Sequence, residues 1–266
     1  MPIISINKIQ INYQFDDFGN REVLIFSNSL GTDLSMWEHQ VDILSHHFNI
    51  LRYDSRGHGQ SIDLENQTPK EPYEYDIDTL GQDVLGLVDY LKIEKAHFCG
   101  LSMGGLIGQW LGINAPDRFE KIIIANTAAK IGNEEAWNQR IQYVKENGLE
   151  SITSATAERW FTESFRTQHP EIIKQVLDNF VKTDLAGYAA CCAAVRDADF
   201  RSELHNLEVP TLVISGSKDA VTTVEDAKFL VKRIPVASHV SLSAAHLSNI
   251  EKGEEFSKLI LNFSEH

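Results

Sequence analysis

A serine with a glycine two residues away on either side, Gly100-Leu101-Ser102-Met103-Gly104, follows the apolar run Ala96-His97-Phe98-Cys99 and precedes Leu106, Ile107 and Trp110. Strand, sharp turn and helix in that order push a serine hydroxyl clear of the backbone, where it can act as a nucleophile. Glycines at 100 and 104 leave room where a side chain would collide with the neighbouring strand or helix. The turn also puts Ser102 at a helix N-terminus, which makes the Met103 N–H a first donor to an oxyanion. The chemistry implied is acyl transfer through a covalent intermediate.

A serine hydroxyl is a weak nucleophile at neutral pH and needs an imidazole within reach, with an acid to orient it. Elbow serines take these partners in the chain order Ser, acid, His. Downstream, the strand-like Thr211-Leu212-Val213-Ile214-Ser215 runs into Gly216-Ser217-Lys218-Asp219, which makes Asp219 the expected acid. His246, in Ser243-Ala244-Ala245-His246-Leu247-Ser248, lies in a small-residue loop after the last strand and is the expected base. Asp197, Asp199 and Asp226 are the competing carboxylates in the same half of the chain. Asp54 and His58, in Arg52-Tyr53-Asp54-Ser55-Arg56-Gly57-His58-Gly59, read as a turn held by hydrogen bonds and charge pairing. The second oxyanion donor is expected from Phe26-Ser27-Asn28-Ser29-Leu30-Gly31-Thr32, where Ser29 and Gly31 permit close approach and the Leu30 N–H is the candidate. That loop also reads as a strand-to-helix turn with Asp33 or Ser35 as cap.

The elements that must position these groups alternate. Strand-like runs occur at Ile9–Phe15, Val23–Asn28, Phe48–Asp54, Ala96–Gly100, Lys121–Asn126, Pro210–Ser215 and His239–Ser243. Helical patterns lie at Ser35–His46, Ile77–Leu91, Met103–Ala115, Val224–Val231 and Glu254–Phe263. Strand alternating with helix argues for a mostly parallel sheet covered on both faces, with the first two strand-like runs forming an antiparallel start. From 132 to 207 the rhythm gives way to amphipathic helices with Trp137, Trp160, Phe161, Phe165 and Phe180, an expected helical cap inserted into a core of 1–131 and 208–266. The acidic stretch Asp63–Asp78 reads as a solvated loop.

With 42% hydrophobic and 23% charged residues, the 266-residue chain has the composition of a globular protein with a sizeable core. No apolar run approaches the roughly 20 residues needed to cross a bilayer. The N-terminal residues lack the basic and apolar regions of a signal peptide, so a cytoplasmic location is expected. A net charge of −14 repels phosphate backbones and anionic lipid, which argues against nucleic acid and membrane surfaces as partners. Cys99, Cys191 and Cys192 make no disulfide framework and are expected as buried thiols. No spacing suggests a zinc site or a phosphate loop, so neither metal nor organic cofactor is expected.

With strand, elbow, acid and histidine in this order, the chain resembles the α/β-hydrolases along nearly its whole length, and within them the 3-oxoadipate enol-lactonases. The resemblance rests on Ser27-Asn28-Ser29-Leu30-Gly31-Thr32, the Arg-Gly-His turn, the elbow, Asn126-Thr127-Ala128-Ala129-Lys130-Ile131-Gly132 with Trp137, and Tyr188-Ala189-Ala190-Cys191-Cys192-Ala193-Ala194. The elbow and Arg-Gly-His segments are common to the superfamily; the segments at 126–132 and 188–194 point to this member. Asn28-Ser29 stands where many relatives carry His-Gly, in agreement with the enol-lactonase pattern. The resemblance implies a mostly parallel eight-stranded sheet with an inserted helical cap, and a cofactor-free serine esterase that opens an enol-lactone derived from aromatic catabolism. It also implies a small anionic substrate, because the lactone bears an acetate arm. Lys130, Arg140 and Arg196 are then the candidate partners for its carboxylate, and Trp137 a wall for its ring. The alternatives are another esterase, a C–C hydrolase or a perhydrolase of the same fold, and a small-molecule receptor with an inert pocket.

Overall fold

The computed structural model describes residues 2–20, 22–64 and 74–265. The strands among them are β1 (Ile3–Ile6), β2 (Ile9–Asp16), β3 (Val23–Ser27), β4 (Asn49–Tyr53), β5 (Ile62–Asp63), β6 (Ala96–Leu101), β7 (Phe119–Ala125), β8 (Thr211–Gly216) and β9 (Ala237–Leu242). They form one sheet in the order β1-β2-β4-β3-β6-β7-β8-β9, with β5 paired to β2. From β4 to β9 every pairing along that path is parallel. Every residue of β4, β6 and β8 is buried, as a parallel sheet covered on both faces requires.

The expected antiparallel start is present, but between different strands. β2 pairs antiparallel with β1 and β4, whereas β3 lies between β4 and β6 and parallel to both. The reason lies in the side chains: Val23-Leu24-Ile25-Phe26 is apolar on both faces and belongs in the sheet centre, where a parallel neighbour needs a crossover rather than a hairpin. That crossover is α1 (Glu38–Leu44), preceded by a 3₁₀ turn at Leu34–Trp37 that Asp33 caps by accepting from the Ser35 N–H at 2.9 Å.

The other helices are α2 (Ile77–Tyr90), α3 (Met103–Asn114), α4 (Glu134–Asn147), α5 (Thr153–Trp160), α6 (Glu163–Gln168), α7 (Pro170–Val181), α8 (Leu185–Asp197), α9 (Val224–Arg233), α10 (Ser248–Glu251) and α11 (Gly253–Glu265). α1 packs on α11, α2 on α3, and α9 on β8 and β9. Between β7 and β8 the chain passes through α4 to α8, with α4 against α8 and α5 against α7. Phe180 of α7 holds this segment together, meeting Trp160 edge-on at 5.5 Å and Tyr188 at 5.7 Å. All three cysteines are free and buried. Among the described residues no helix is long and apolar enough to cross a membrane, and no His, Cys, Asp and Glu cluster is placed to hold a metal ion.

The acidic stretch at 63–78 is not one solvated loop. Residues 65–73 lie outside the described residues, Asp76 caps α2 through the Thr79 N–H at 2.7 Å, and Asp63 is buried. Arg56 is the cause. Its guanidinium reaches Asp63 at 3.1 Å and clamps Asp83 of α2 through Nε at 2.9 Å and Nη2 at 2.7 Å. The Arg-Gly-His turn is thus bolted to the sheet edge and to α2 by a buried bidentate pair. Removing Asp83 breaks the bidentate pair and leaves Arg56 with Asp63, so Asp83→Ala should lower the unfolding free energy by about 1–3 kcal/mol in urea titration.

Candidate active site

Parallel strands deliver their carboxyl ends to one edge of the sheet, and five loops meet there: after β3, β6, β7, β8 and β9. The loop after β6 is the serine elbow. Ser102 has φ 57° and ψ −109°, a left-handed conformation costly for a residue with a Cβ. Its surroundings enforce it. The Ser102 N–H donates to the Ala125 carbonyl at 2.9 Å, and the Thr127 hydroxyl and Leu106 N–H donate to the Ser102 carbonyl at 2.9 and 3.1 Å. A Cβ on Gly100 would lie 2.0 Å from the Gly104 carbonyl oxygen, and one on Gly104 would lie 2.3 Å from that of Ser27. Strand and helix can meet at this angle only because both positions are glycine.

The structure brings Ser102, His246 and Asp219 together although 144 residues separate the first two. His246 Nε2 lies 2.9 Å from Ser102 Oγ, and Nδ1 lies 2.8 Å from Asp219 Oδ2. With its proton on Nδ1 toward the carboxylate, the ring presents Nε2 as the acceptor for the serine hydroxyl. Asp219 is held from every side. Its Oδ1 accepts from the Val221 and Thr222 N–H groups at 2.8 and 3.1 Å, and Oδ2 also accepts from the Thr222 hydroxyl and Asn126 Nδ2, both at 2.9 Å. Burial alone pushes the carboxyl up, but the His246 ring and these donors outweigh it and hold the pKa at about 2.

Asn126 is a functional position that reading the sequence missed. It follows β7 with φ 45°, donates through Nδ2 to Asp219 and to the Ala245 carbonyl at 3.2 Å, and accepts from the Ser248 hydroxyl at 2.5 Å. One amide therefore ties the acid to both ends of the loop that carries His246. The available signal was an asparagine at the end of a buried strand, since asparagine tolerates left-handed geometry.

The loop after β3 lies beside the elbow. Asn28 accepts from the Trp37 indole N–H at 2.9 Å and from the Gly104 N–H at 3.1 Å, and donates to the Tyr53 carbonyl at 2.8 Å. Gly31, at φ +81°, donates its N–H to His58 Nε2 at 2.9 Å. His58 Nδ1 in turn faces the Arg56 carbonyl at 3.1 Å, and burial pushes this imidazole down to about 4, so it stays neutral and accepts. None of these bonds uses the N–H of Leu30 or Met103. Asp54, the rival carboxylate, is spent on the Leu34 and Gln60 N–H groups and on Asn12, each within 2.8 Å.

Ser102 and His246 open into a small cavity lined also by Ser29, Leu30, Trp137, Arg140, Arg159 and Trp160. Two of the expected substrate-binding residues, Trp137 and Arg140, are there. Lys130 and Arg196 are not among its lining: Lys130 pairs with Asp199 at 3.4 Å, and Arg196 with Glu74 and Asp197 at 2.9 and 2.7 Å. Acidic neighbours close in space, one of them 122 residues away, divert both cations to the surface. Asp226 closes the capping box of α9. Arg159, which reading the sequence did not single out, takes the place they leave. Arg140 donates to the Tyr188 hydroxyl through Nε at 2.8 Å and lies over the Trp137 ring, while Arg159 donates to the Thr156 hydroxyl at 3.1 Å. Burial and the neighbouring Arg140 hold the Arg159 pKa below the usual arginine value. Two guanidiniums bonded to neutral hydroxyls beside the Ser102 hydroxyl suit an anionic compound.

Fold and site together define a class: the family described as the alpha/beta hydrolase fold matches residues 22–253, and the chain belongs to that family. Its relatives narrow the reading further. The chain is 44% identical to 3-oxoadipate enol-lactonase 2 of Acinetobacter baylyi over 97% of its own length and 94% of that protein. It is 42% identical to 3-oxoadipate enol-lactonase 1 of the same organism, over 95% and 92%. The crystal structure of the enol-lactonase from Burkholderia xenovorans LB400 superposes with a TM-score of 0.94 at 43% identity, covering 100% of each chain.

The depressed Asp219 pKa has a consequence for stability. Its folded value, about 2, lies below the ordinary 3.8, so the contribution is fully present above about pH 4 and is lost as pH falls through 2. At 1.36 kcal/mol per unit it amounts to about 2 kcal/mol, which the Asp219→Asn variant should lack when unfolding is followed between pH 4 and 2.

Proposed function

We propose that this chain is a serine hydrolase that opens the ring of 3-oxoadipate enol-lactone to give 3-oxoadipate. In this reading Ser102 is the nucleophile, His246 the general base and Asp219 its orienting acid. The Leu30 and Met103 N–H groups form the oxyanion hole, and residues 132–207 serve as the cap over a core of 1–131 and 208–266. Ser102 Oγ attacks the lactone carbonyl carbon while His246 Nε2 takes its proton. The oxyanion forms against the two N–H groups and collapses, breaking the bond to the ring oxygen. That oxygen leaves as an enolate, a far better leaving group than an alkoxide, and on protonation becomes the ketone. Water, deprotonated by His246, then attacks the acyl-enzyme and releases the carboxylic acid and Ser102.

The observation that carries the choice of substrate is the pair Arg140 and Arg159 beside Ser102, bonded to hydroxyls in a chain of net charge −14. The lactone's acetate arm supplies the anion this pair lacks, with Trp137 along the ring. The names of the relatives support the same choice. A small anionic molecule rather than nucleic acid suits the acidic surface. Free, buried cysteines suit a reducing compartment, the cytoplasm.

Hydrolysis of the enol-lactone, followed by the loss of its ring absorbance, tests the reaction. Ser102→Ala should lower kcat roughly 10⁴-fold or more, because the triad acts as a unit. A native chain that splits simple aryl esters but leaves the lactone intact would point to another esterase, and a Ser102 that resists organophosphonate labelling would point to a receptor. Replacing one charge-assisted partner in Arg140→Gln should raise KM for the lactone about 10-fold or more and leave KM for neutral p-nitrophenyl acetate within about two-fold. Equal changes for both substrates would remove Arg140 as the carboxylate partner.

A further inference from the structure

Glu251 closes α10, five residues after His246, and its carboxylate accepts from donors on two separate segments. Oε2 takes the Ala245 N–H at 3.1 Å and the Thr162 N–H at 3.2 Å, and Oε1 takes the Thr162 hydroxyl at 2.5 Å. Ala245 immediately precedes His246. Thr162 sits at the junction of α5 and α6, two residues after Trp160 and three after Arg159, both of which line the cavity. A fourth bond crosses the same seam from the other side of the histidine: the Leu247 N–H donates to the Trp160 carbonyl at 3.0 Å. His246 is therefore bracketed, with the residue before it and the residue after it both fastened to the α5–α6 junction.

We propose that Glu251 is a positioning residue that sets the His246 loop and the cavity-lining end of α5 in one register, so that the base and the walls of the pocket move together. This inference rests on the reading of Ser102, His246 and Asp219 as a catalytic triad. A half-buried carboxylate whose donors are all neutral is stabilised only where several N–H and O–H groups converge on it, and here they converge from the two segments whose separation decides the site. Asn126 anchors the same loop from the sheet side through the Ala245 carbonyl, and Glu251 anchors it from the α5–α6 side through the Ala245 N–H. Release of the second anchor lets the imidazole drift from Ser102 Oγ, and a displacement of about 1 Å can cost on the order of 100-fold in rate. It also leaves, of the four bonds across this seam, the one from the Leu247 N–H to the Trp160 carbonyl, which loosens the pocket independently of the chemistry.

The test uses p-nitrophenyl butyrate, so that it does not depend on the natural substrate, with active sites counted by organophosphonate titration. In Glu251→Ala, kcat per titrated site should fall about 10-fold or more, and Glu251→Gln, which keeps one acceptor oxygen, should recover part of that loss. Thr162→Val keeps the Ala245 arm; it should raise KM about three-fold or more and leave kcat per titrated site within about two-fold. An unchanged kcat per titrated site in both Glu251 variants, with the loss confined to the number of titrated sites or the melting temperature, would reduce Glu251 to a structural staple and overturn the proposal. Should Glu251→Ala fail to fold, the same criteria apply to Glu251→Gln and Thr162→Val. Failure of the triad reading itself would show separately, as ester hydrolysis that survives Ser102→Ala.

Discussion

Parallel pairing from β3 to β9 is the constraint on which everything else in the molecule depends. A parallel sheet sends every strand's carboxyl end to the same edge, so residues far apart in the chain share a rim without any contact between their loops being needed to bring them there. Ser102 follows β6, Asn126 follows β7, Asp219 follows β8 and His246 follows β9, on neighbouring strands in sheet order. The cost of this arrangement is burial on both faces, which explains why central strands such as Ala96–Leu101 and Thr211–Gly216 are wholly buried. It also explains why β1 and β2, out at the edge, are the ones free to run antiparallel.

Sheet geometry delivers the groups only approximately, and hydrogen bonds complete the alignment. Asp219 cannot drift, because two backbone N–H groups, a hydroxyl and an amide already occupy it before His246 arrives. His58 plays a comparable part for the loop after β3. Being neutral, it accepts the Gly31 N–H and so fixes the backbone direction beside Leu30. The pattern is one anchor from the sheet side of a loop and one from the opposite side. The His246 loop, held by Asn126 and by Glu251, follows it most fully.

Much of this was legible in the sequence because it is local. Ser102, Asp219 and His246 stand out through strand, turn and helix signals within a few residues of each, and the observed β6, β8 and α3 start or end within a residue or so of the expected runs. What was not legible depends on contacts between distant segments. β1, β5 and α10 are too short to carry a period. The pairing of β3 was misread because chain proximity suggested a neighbour that the two-sided apolar pattern of Val23–Phe26 forbids. Asp63 looked solvated because its partner, Arg56, is supplied by a turn whose charge pairing was assigned to Asp54 and His58 instead.

Choosing among the cations shows the same limit most clearly. Lys130 follows a strand at the rim and looks well placed, yet Asp199, 69 residues on, takes it; Arg159 sits on an unremarked helix face and reaches the cavity only because α5 docks through Trp160. Carboxylates neutralise Lys130 and Arg196, whereas a cation that binds an anionic ligand needs its donors satisfied by neutral groups. Tyr188 and Thr156 do this for Arg140 and Arg159: each hydroxyl satisfies guanidinium donors without cancelling the charge. Burial keeps the Tyr188 hydroxyl protonated and therefore neutral, so the pocket retains its positive potential. In the proposed function, substrate charge is recognised by what residues 132–207 withhold from Arg140 and Arg159 as much as by where they place them.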